Sequence, residues 1–203
     1  MGKYIIGGII VILALFSGYY LLKSPGTATP DDGQPTQQPM AIATSTYATT
    51  TFSVVYPSNF SVNDQYAYDQ FGPKKLIHGV SFTIPMSMAT GTNLSSDTHL
   101  SVESLPRAKN CTGDIYIQDN VKAQSVTEGG VDYSVASTSG AGAGNFYEEQ
   151  VFALSASKPC IGVRYFIHST NIGNYPEGAV TAFDKDALIS AFDTIRRSLT
   201  LTQ

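Results

Sequence analysis

Residues 146–168, FYEEQVFALSASKPCIGVRYFIH, decide the fold that we predict for this chain. Two runs rich in aromatic and β-branched residues, 146–154 and 160–168, flank a short polar segment at 155–159, which is the pattern of a β-hairpin. Alternate residues of the second run are apolar and would share one face of a sheet: Ile161, Val163, Tyr165 and Ile167. The hairpin therefore predicts a sheet with one face against an apolar layer.

Shorter alternating runs predict further strands at 52–56, 60–62, 80–84, 100–103 and 131–135. Near the end of the chain, apolar residues recur at helical spacing: Leu188, Phe192, Ile195 and Leu199. Asp184 can cap this helix, and Arg196 and Arg197 fall in its last turn, where the helix dipole favours cations. Residues 42–203 are thus expected to be an α+β domain, an antiparallel β-sheet with a C-terminal amphipathic helix packed on it.

The N-terminus carries a long apolar run. Residues 4–22 contain no charge and are bounded by Lys3 and Lys23, and as a helix they would span roughly 28 Å, close to the hydrocarbon core of a bilayer. We expect residues 1–23 to be an uncleaved signal-anchor transmembrane helix. A cleaved signal peptide is the alternative, but the run is long for one and lacks a small-x-small site at its end.

The distribution of charge gives an expected orientation and location. After Lys23 the next basic residue is Lys74, so the N-terminus is expected to be cytoplasmic and residues 42–203 periplasmic or extracellular. Residues 24–41, rich in Pro, Gly and Thr, are expected to be a flexible tether. The formal net charge of −4 argues against a nucleic-acid partner.

The chain has two cysteines, Cys111 and Cys160. An even pair in a translocated domain predicts a disulfide, which would close a loop of about 50 residues and contribute up to ~4 kcal/mol. Two buried free thiols are the alternative.

The candidate functional residues are three polar side chains of the predicted hairpin, Glu148, Arg164 and His168. In a regular hairpin about the 155–159 loop, Gln150 would oppose Arg164, and Glu148 would lie diagonal to Arg164 on the same face. One interpretation is a binding site for a carboxylate or phosphate, which a planar guanidinium recognises well. The other is a cross-strand ion pair.

Three further features of the sequence bear on function. The histidines, His78, His99 and His168, fit no zinc spacing, so we predict no metal site and no cofactor. The Gly-rich segment 140–144 lacks a following Lys-Ser/Thr and precedes a strand, which predicts a mobile hairpin loop rather than a phosphate loop. Tyr175 lies in a long loop and is either an interface anchor or a residue held on the core.

The start of the folded part has the pattern F-x-x-x-Y-P-x-x-F, carried by Phe52, Tyr56, Pro57 and Phe60. Together with a helix running into 195–198 and a short last strand at 199–202, it resembles PsbP-like α/β/α sandwich domains, found in bacterial membrane-tethered or secreted proteins. The resemblance covers residues 42–203. It implies an accessory, non-enzymatic subunit that binds another protein, and it carries over no functional residues.

These observations favour a membrane-anchored extracytoplasmic binding or accessory module that engages another protein and is not an enzyme. The alternative is a small-ligand-binding protein or an enzyme with its site around Glu148, Arg164 and His168. A third interpretation is an envelope protein that associates with itself through residues 4–22.

Overall fold

A computed structural model describes residues 43–202 of the chain. The predicted anchor at 1–23 and the predicted tether at 24–41 lie outside these residues. Within the described part, no helix combines the length and the apolar character needed to cross a bilayer.

The described residues form eleven strands, two α-helices and two 3-10 turns. The strands are β1 (Thr44–Ala48), β2 (Phe52–Pro57), β3 (Ser61–Asn63), β4 (Ala67–Tyr68), β5 (Ile77–Thr83), β6 (His99–Leu105), β7 (Gln124–Glu128), β8 (Val131–Gly142), β9 (Asn145–Leu154), β10 (Cys160–Thr170) and β11 (Thr200–Leu201). The helices are α1 (Met86–Ala89) and α2 (Lys185–Arg197), and the 3-10 turns are η1 (Gly113–Tyr116) and η2 (Ile172–Asn174).

All strands pair antiparallel, in two sheets. The large sheet has the order β3-β5-β6-β10-β9-β8-β7, with β4 paired to β5, and the small sheet has the order β1-β2-β11. The hairpin of β9 and β10 lies near the middle of the large sheet, as expected from its apolar character. The mostly antiparallel domain with a C-terminal helix is confirmed.

One face of the large sheet is covered by α2 and by the small sheet. The four apolar residues of β10 that were predicted to share one face do so, and they form a buried cluster with Leu188, Phe192 and Ile195 of α2 and with Phe52 and Val54 of β2. Helix α2 begins as predicted, since the Asp184 carboxylate accepts a 2.9 Å hydrogen bond from the N–H of Ala187. Each fully buried Leu, Ile or Phe stabilises the fold by about 1.5–3 kcal/mol.

The last turn of α2 also contributes a buried cation. Arg196 is 2% exposed, its Nε donates to the Tyr165 hydroxyl at 2.8 Å, and its guanidinium lies 4.2 Å from the ring centre of Phe152. From the sequence, Arg196 was expected only to lie in the last turn of the helix, where the helix dipole favours a cation. The buried contacts instead join the end of α2 to the central hairpin.

The opposite face of the large sheet is covered by an irregular segment that contains η1. Tyr116 and Ile117 pack against Val151, Ala153 and Cys160 in a second buried cluster. The disulfide between Cys111 and Cys160 is confirmed: it ties this segment to β10, with a Cα–Cα distance of 5.1 Å and a sequence separation of 49.

The register predicted for the central hairpin was wrong by one residue. Val151, not Gln150, lies opposite Arg164. The cause is Ser157, whose hydroxyl donates to the Leu154 carbonyl at 2.8 Å and accepts from the Ile161 N–H at 2.9 Å, so that Leu154 and Ile161 face each other across the loop. A shift of one residue moves every side chain of β9 to the other face of the sheet.

The Gly-rich segment forms the next hairpin, between β8 and β9. Strand β8 continues to Gly142, and the turn consists of Ala143 and Gly144, with φ values of 49° and 80°. Two central residues with positive φ form a type I′ turn, which matches the twist of paired strands. The predicted hairpin is therefore present, with a two-residue turn in place of a longer loop.

Candidate functional site

Arg164 lies at the centre of a buried ionic network on the face of the large sheet opposite α2. Its Nε donates to Oε1 of Glu103 at 2.7 Å and its Nη2 donates to Oε2 at 2.9 Å. The strand register places this pair, because Ser101 of β6 lies opposite Arg164 and Glu103 is the diagonal neighbour. Neither side chain is exposed to solvent. The Ser101 hydroxyl also donates to Glu103 at 2.7 Å.

The remaining contacts of the Arg164 guanidinium complete its coordination. Its Nη1 donates to Glu149, its Nη2 also donates to the Tyr116 carbonyl at 2.7 Å, and its plane lies 3.6 Å from the ring centre of Tyr68. Burial by itself would lower the pKa of Arg164. The attraction and hydrogen bonds of Glu103, with the attraction of Glu149, outweigh burial and raise that pKa above its ordinary value.

The predicted use of Arg164 as a ligand-binding guanidinium does not fit this geometry. Because the side chain is 0% exposed and hydrogen-bonded on all three nitrogens, an incoming carboxylate or phosphate has no access to it. The guanidinium instead holds Glu149 in position. Glu149 is the carboxylate of the network that reaches the surface, with 14% of its side chain exposed. Arg164 is thus a positioning residue.

The structure does not bring Glu148, Arg164 and His168 together. Glu148 lies on the face covered by α2 and pairs with Lys185. His168 is on the Arg164 face, where its Nδ1 lies 2.8 Å from Asp97 and its ring stacks on Tyr147 with centres 4.5 Å apart. The ion pair foreseen for Arg164 therefore exists, but its carboxylates come from Glu103 and Glu149.

Tyr175 follows η2 and is half-buried. Its N–H donates to the Ile172 carbonyl at 3.1 Å, which closes the 3-10 turn. It does not line the groove described next. Its proposed role as an interface anchor stays a prediction.

Above the ionic network lies a groove of about 500 Å³, here called the aromatic groove. Glu149 is at its floor, and five rings line it: Tyr66, Tyr68, His99, Tyr147 and Phe166. Strand pairing assembles these rings, because Phe166 of β10 lies opposite His99 on one side and opposite Glu149 on the other, while Tyr147 is two residues from Glu149 on β9. Because side chains alternate between the two faces along a strand, these residues of β6, β9 and β10 share one face of the sheet.

The rings of the groove form a continuous row across neighbouring strands. Ring centres are 5.3 Å apart for Tyr66 and His99, 5.0 Å for His99 and Phe166, and 6.3 Å for Phe166 and Tyr147. These separations are those of favourable aromatic pairs, so the row is held in place before any ligand arrives.

The electrostatics of the groove follow from burial. Burial lowers the pKa of His99, and this effect exceeds the opposite effect of the nearby Asp97 and Glu103. Burial also raises the pKa values of Tyr66 and Tyr68. His99 and both tyrosines are therefore neutral near pH 7. The His99 Nδ1 lies 2.7 Å from the Asp97 carbonyl, which can only accept, so Nδ1 carries the proton and Nε2 accepts from Tyr66 at 3.4 Å.

A charge count gives the sign of the site. Glu103 and Glu149 carry two negative charges and Arg164 carries one positive charge, which leaves the network with a net charge of −1. Asp69 lines the rim and adds a further negative charge, and none of the residues that line the groove is Lys or Arg. The site therefore combines negative charge with aromatic rings that are partly exposed.

The structure offers no arrangement for metal binding among residues 43–202, where no three His, Cys, Asp or Glu side chains converge. His78 is exposed on β5, away from His99 and His168. The Nε2 atom of His168 is buried and, within the described residues, has no hydrogen-bond partner.

Sequence reasoning missed Glu149 because the register was wrong by one, and it missed Glu103 and Tyr68 because no local pattern links β6 and β4 to β10. One signal is present in the sequence: alternation along 160–168 puts Phe166 and His168 on the same face as Arg164. A search of known protein families finds no model that matches the chain, and a search of curated proteins finds no significant match.

Proposed function

We propose that residues 43–202 form the binding module of a membrane-anchored extracytoplasmic protein, and that the aromatic groove is where the module engages a partner protein. The observation that carries the proposal is a row of partly exposed aromatic rings in a groove next to the Arg164–Glu103 ion pair, which is fully buried. Aromatic residues in fixed, concave positions are the residues that dominate binding energy at protein interfaces.

Three other features support this role. The apolar run at 4–22, followed by the Pro-rich segment 24–41, suits a domain that is tethered to a membrane and free to reorient towards a partner. The disulfide between Cys111 and Cys160 suits an oxidising compartment outside the cytoplasm. The resemblance of residues 42–203 to PsbP-like domains implies an accessory subunit as well.

An enzymatic role around Glu148, Arg164 and His168 has less support. Glu148 faces α2, while the Arg164 guanidinium is sealed from solvent. General acid–base chemistry needs a titratable group within reach of a substrate atom. Among these three residues only His168 is partly exposed on the groove side, at 17%.

The proposal is tested by photo-crosslinking from two adjacent positions of β9. A benzophenone amino acid replaces Tyr147, whose ring lines the groove, or Phe146, which is 45% exposed and points to the other face. The full chain is expressed in its source cells, irradiated and analysed by mass spectrometry.

We expect one recurrent crosslinked protein from position 147 and not from position 146, and we expect it to disappear when Phe166→Ser is added to the chain. An identical crosslinking pattern from both positions, or a product that persists with Phe166→Ser, would contradict the proposal.

A further inference from the structure

We infer that the aromatic groove binds a cationic side chain, a lysine or arginine of the partner. The inference deepens the proposed function, on which it rests, by naming the chemistry that the groove selects. It is carried by a juxtaposition of Glu149 with the rings of Tyr147 and Phe166 in one concave surface.

The charge of the site excludes anions and favours cations. The ionic network has a net charge of −1, since Arg164 is already fully paired with Glu103 and Glu149 brings a second carboxylate. The groups around the groove do not offset that charge, because burial keeps His99 neutral and Asp69 at the rim is acidic. A carboxylate or phosphate placed here would meet a negative floor.

The rings add an attraction that is specific for cations. An aromatic face carries negative electrostatic potential, and an ammonium or guanidinium group within about 6 Å of a ring centre is stabilised by it. Tyr147 and Phe166 have ring centres 6.3 Å apart and Glu149 lies opposite Phe166 on the neighbouring strand. A cation seated in the groove beside these two rings would therefore be close to both and would approach one carboxylate.

The interior of the protein already shows the same recognition. The guanidinium of Arg164 lies 3.6 Å from one face of Tyr68 while it contacts Glu149. The Tyr68 hydroxyl donates to Glu149 at 3.2 Å and is part of the groove wall. The external cation would thus repeat, on the exposed side of Glu149, the combination of ring and carboxylate that holds Arg164 on the buried side.

The size of the groove suits a side chain presented by a polypeptide. Its volume of about 500 Å³ lies in the range of ligand sites, and it is partly open to solvent. A long flexible side chain can enter it while its backbone stays outside. An aliphatic side chain of the same length would gain contact with the rings but leave the carboxylate without a partner.

The test uses NMR titration of the full chain, residues 1–203, in detergent micelles. The probes are end-capped pentapeptides that differ only at the central residue: Lys, Arg or norleucine, which has the four-carbon stem of lysine without its ammonium group. We expect the Lys and Arg peptides to shift the amide signals of Tyr147, Glu149 and Phe166, with affinity about tenfold above that of the norleucine peptide. Raising the salt from about 20 mM to about 300 mM should weaken the binding.

Two adjacent glutamates of β9 provide a matched pair of variants. Glu149→Gln removes the charge at the floor of the groove and should lower the affinity for the Lys peptide about fivefold or more, whereas Glu148→Gln, on the opposite face, should leave it unchanged. Tyr147→Leu keeps an apolar side chain but removes one aromatic face, and it should also weaken binding. It provides a second measurement if Glu149→Gln unfolds the domain.

Several results would overturn the inference. The norleucine peptide could bind as tightly as the Lys peptide, or methyl glucoside, a neutral sugar, could shift the groove signals where the Lys peptide does not. An absence of shifts with every probe would also overturn it. Crosslinking from position 147 reports separately on the proposed function, so a groove that engages a partner without selecting a cation would be recognised as such.

Discussion

Arg164 and Glu103, on neighbouring strands, form a two-pronged ion pair with distances of 2.7 Å and 2.9 Å, and neither side chain is exposed to solvent. Two charges removed from water are tolerated only when their hydrogen-bonding capacity is met. Here Ser101 and the Tyr116 carbonyl supply the remaining partners. The buried pair thus fixes the position of Arg164, and Arg164 in turn holds Glu149 at the aromatic groove.

Glu103→Met should destabilise the domain by about 3–5 kcal/mol, because it leaves the buried Arg164 without its main counter-charge. Adding Arg164→Met should recover part of this loss, since Glu149 is 14% exposed and can be hydrated by water. Urea denaturation of residues 41–203 measures both changes.

The matched control for this series is Glu148→Met, at an exposed ion pair with Lys185, where we expect a change below about 1 kcal/mol. A loss for Glu103→Met as small as that of the control would mean that water reaches the Arg164 network, contrary to its burial in the structure.

Removing the disulfide should cost up to about 4 kcal/mol in the unfolding free energy, by the loop-closure estimate for a separation of 49 residues. The double variant Cys111→Ala with Cys160→Ala avoids placing new polar groups in the second cluster, where Cys160 is 3% exposed. Comparing its urea unfolding with that of the oxidised wild type gives the value. Rapid alkylation of both thiols in native, unreduced protein would show instead that the bond does not form.

The stability of the domain should fall as the pH drops below about 6.5, in part because of His99. Burial lowers the pKa of His99 in the folded state below its value in the unfolded chain. Between those two pKa values the unfolded state binds more protons than the folded state, so acid favours unfolding. The contribution of His99 is fully present above the unfolded pKa and is lost as the pH falls towards the folded pKa.

Two histidine variants separate this effect from general acid denaturation. His99→Gln should reduce the slope of stability against pH between about pH 7.5 and pH 5, whereas His78→Gln, at an exposed position of β5, should follow the wild type. The measurement is the melting temperature across this range. Parallel curves for the wild type and His99→Gln would argue against a buried, neutral His99.

The sequence predicted most of the fold for a simple reason: apolar alternation in β9 and β10 and the helical spacing in α2 are local signals of large buried faces. It did not predict β1 or β7. Their residues are largely exposed or half-buried, so the alternation carries little contrast. The irregular cover of the second face, with η1, has no periodic pattern at all.

The candidate site was harder to predict because it depends on register and on distant strands. The Ser157 hydroxyl, which sets the β9–β10 register, gives no signal in a hydrophobic pattern. A shift of one residue was enough to select Glu148 instead of Glu149. Glu103, 61 residues before Arg164, could be found only once β6 had been placed beside β10.

Gly162→Ala should destabilise the domain by about 1–3 kcal/mol through overpacking beneath the site. A Cβ at position 162 would lie 2.8 Å from Cζ of the Tyr116 ring, closer than any relaxed contact. The ring has little room to move, because Tyr116 is 0% exposed and its hydroxyl donates to the Cys160 carbonyl at 2.8 Å. Since the Tyr116 carbonyl accepts from Arg164, the displacement should also loosen Glu149.

Gly140→Ala is the control for Gly162→Ala, because a Cβ at position 140 meets no atom within 4 Å, and we expect a change within about 0.5 kcal/mol. Combining Gly162→Ala with Tyr116→Leu, which shortens the obstructing side chain, should cost less than the sum of the two single changes. Urea denaturation gives the coupling. Strict additivity would mean that the contact between Gly162 and the Tyr116 ring does not limit the packing of the second face.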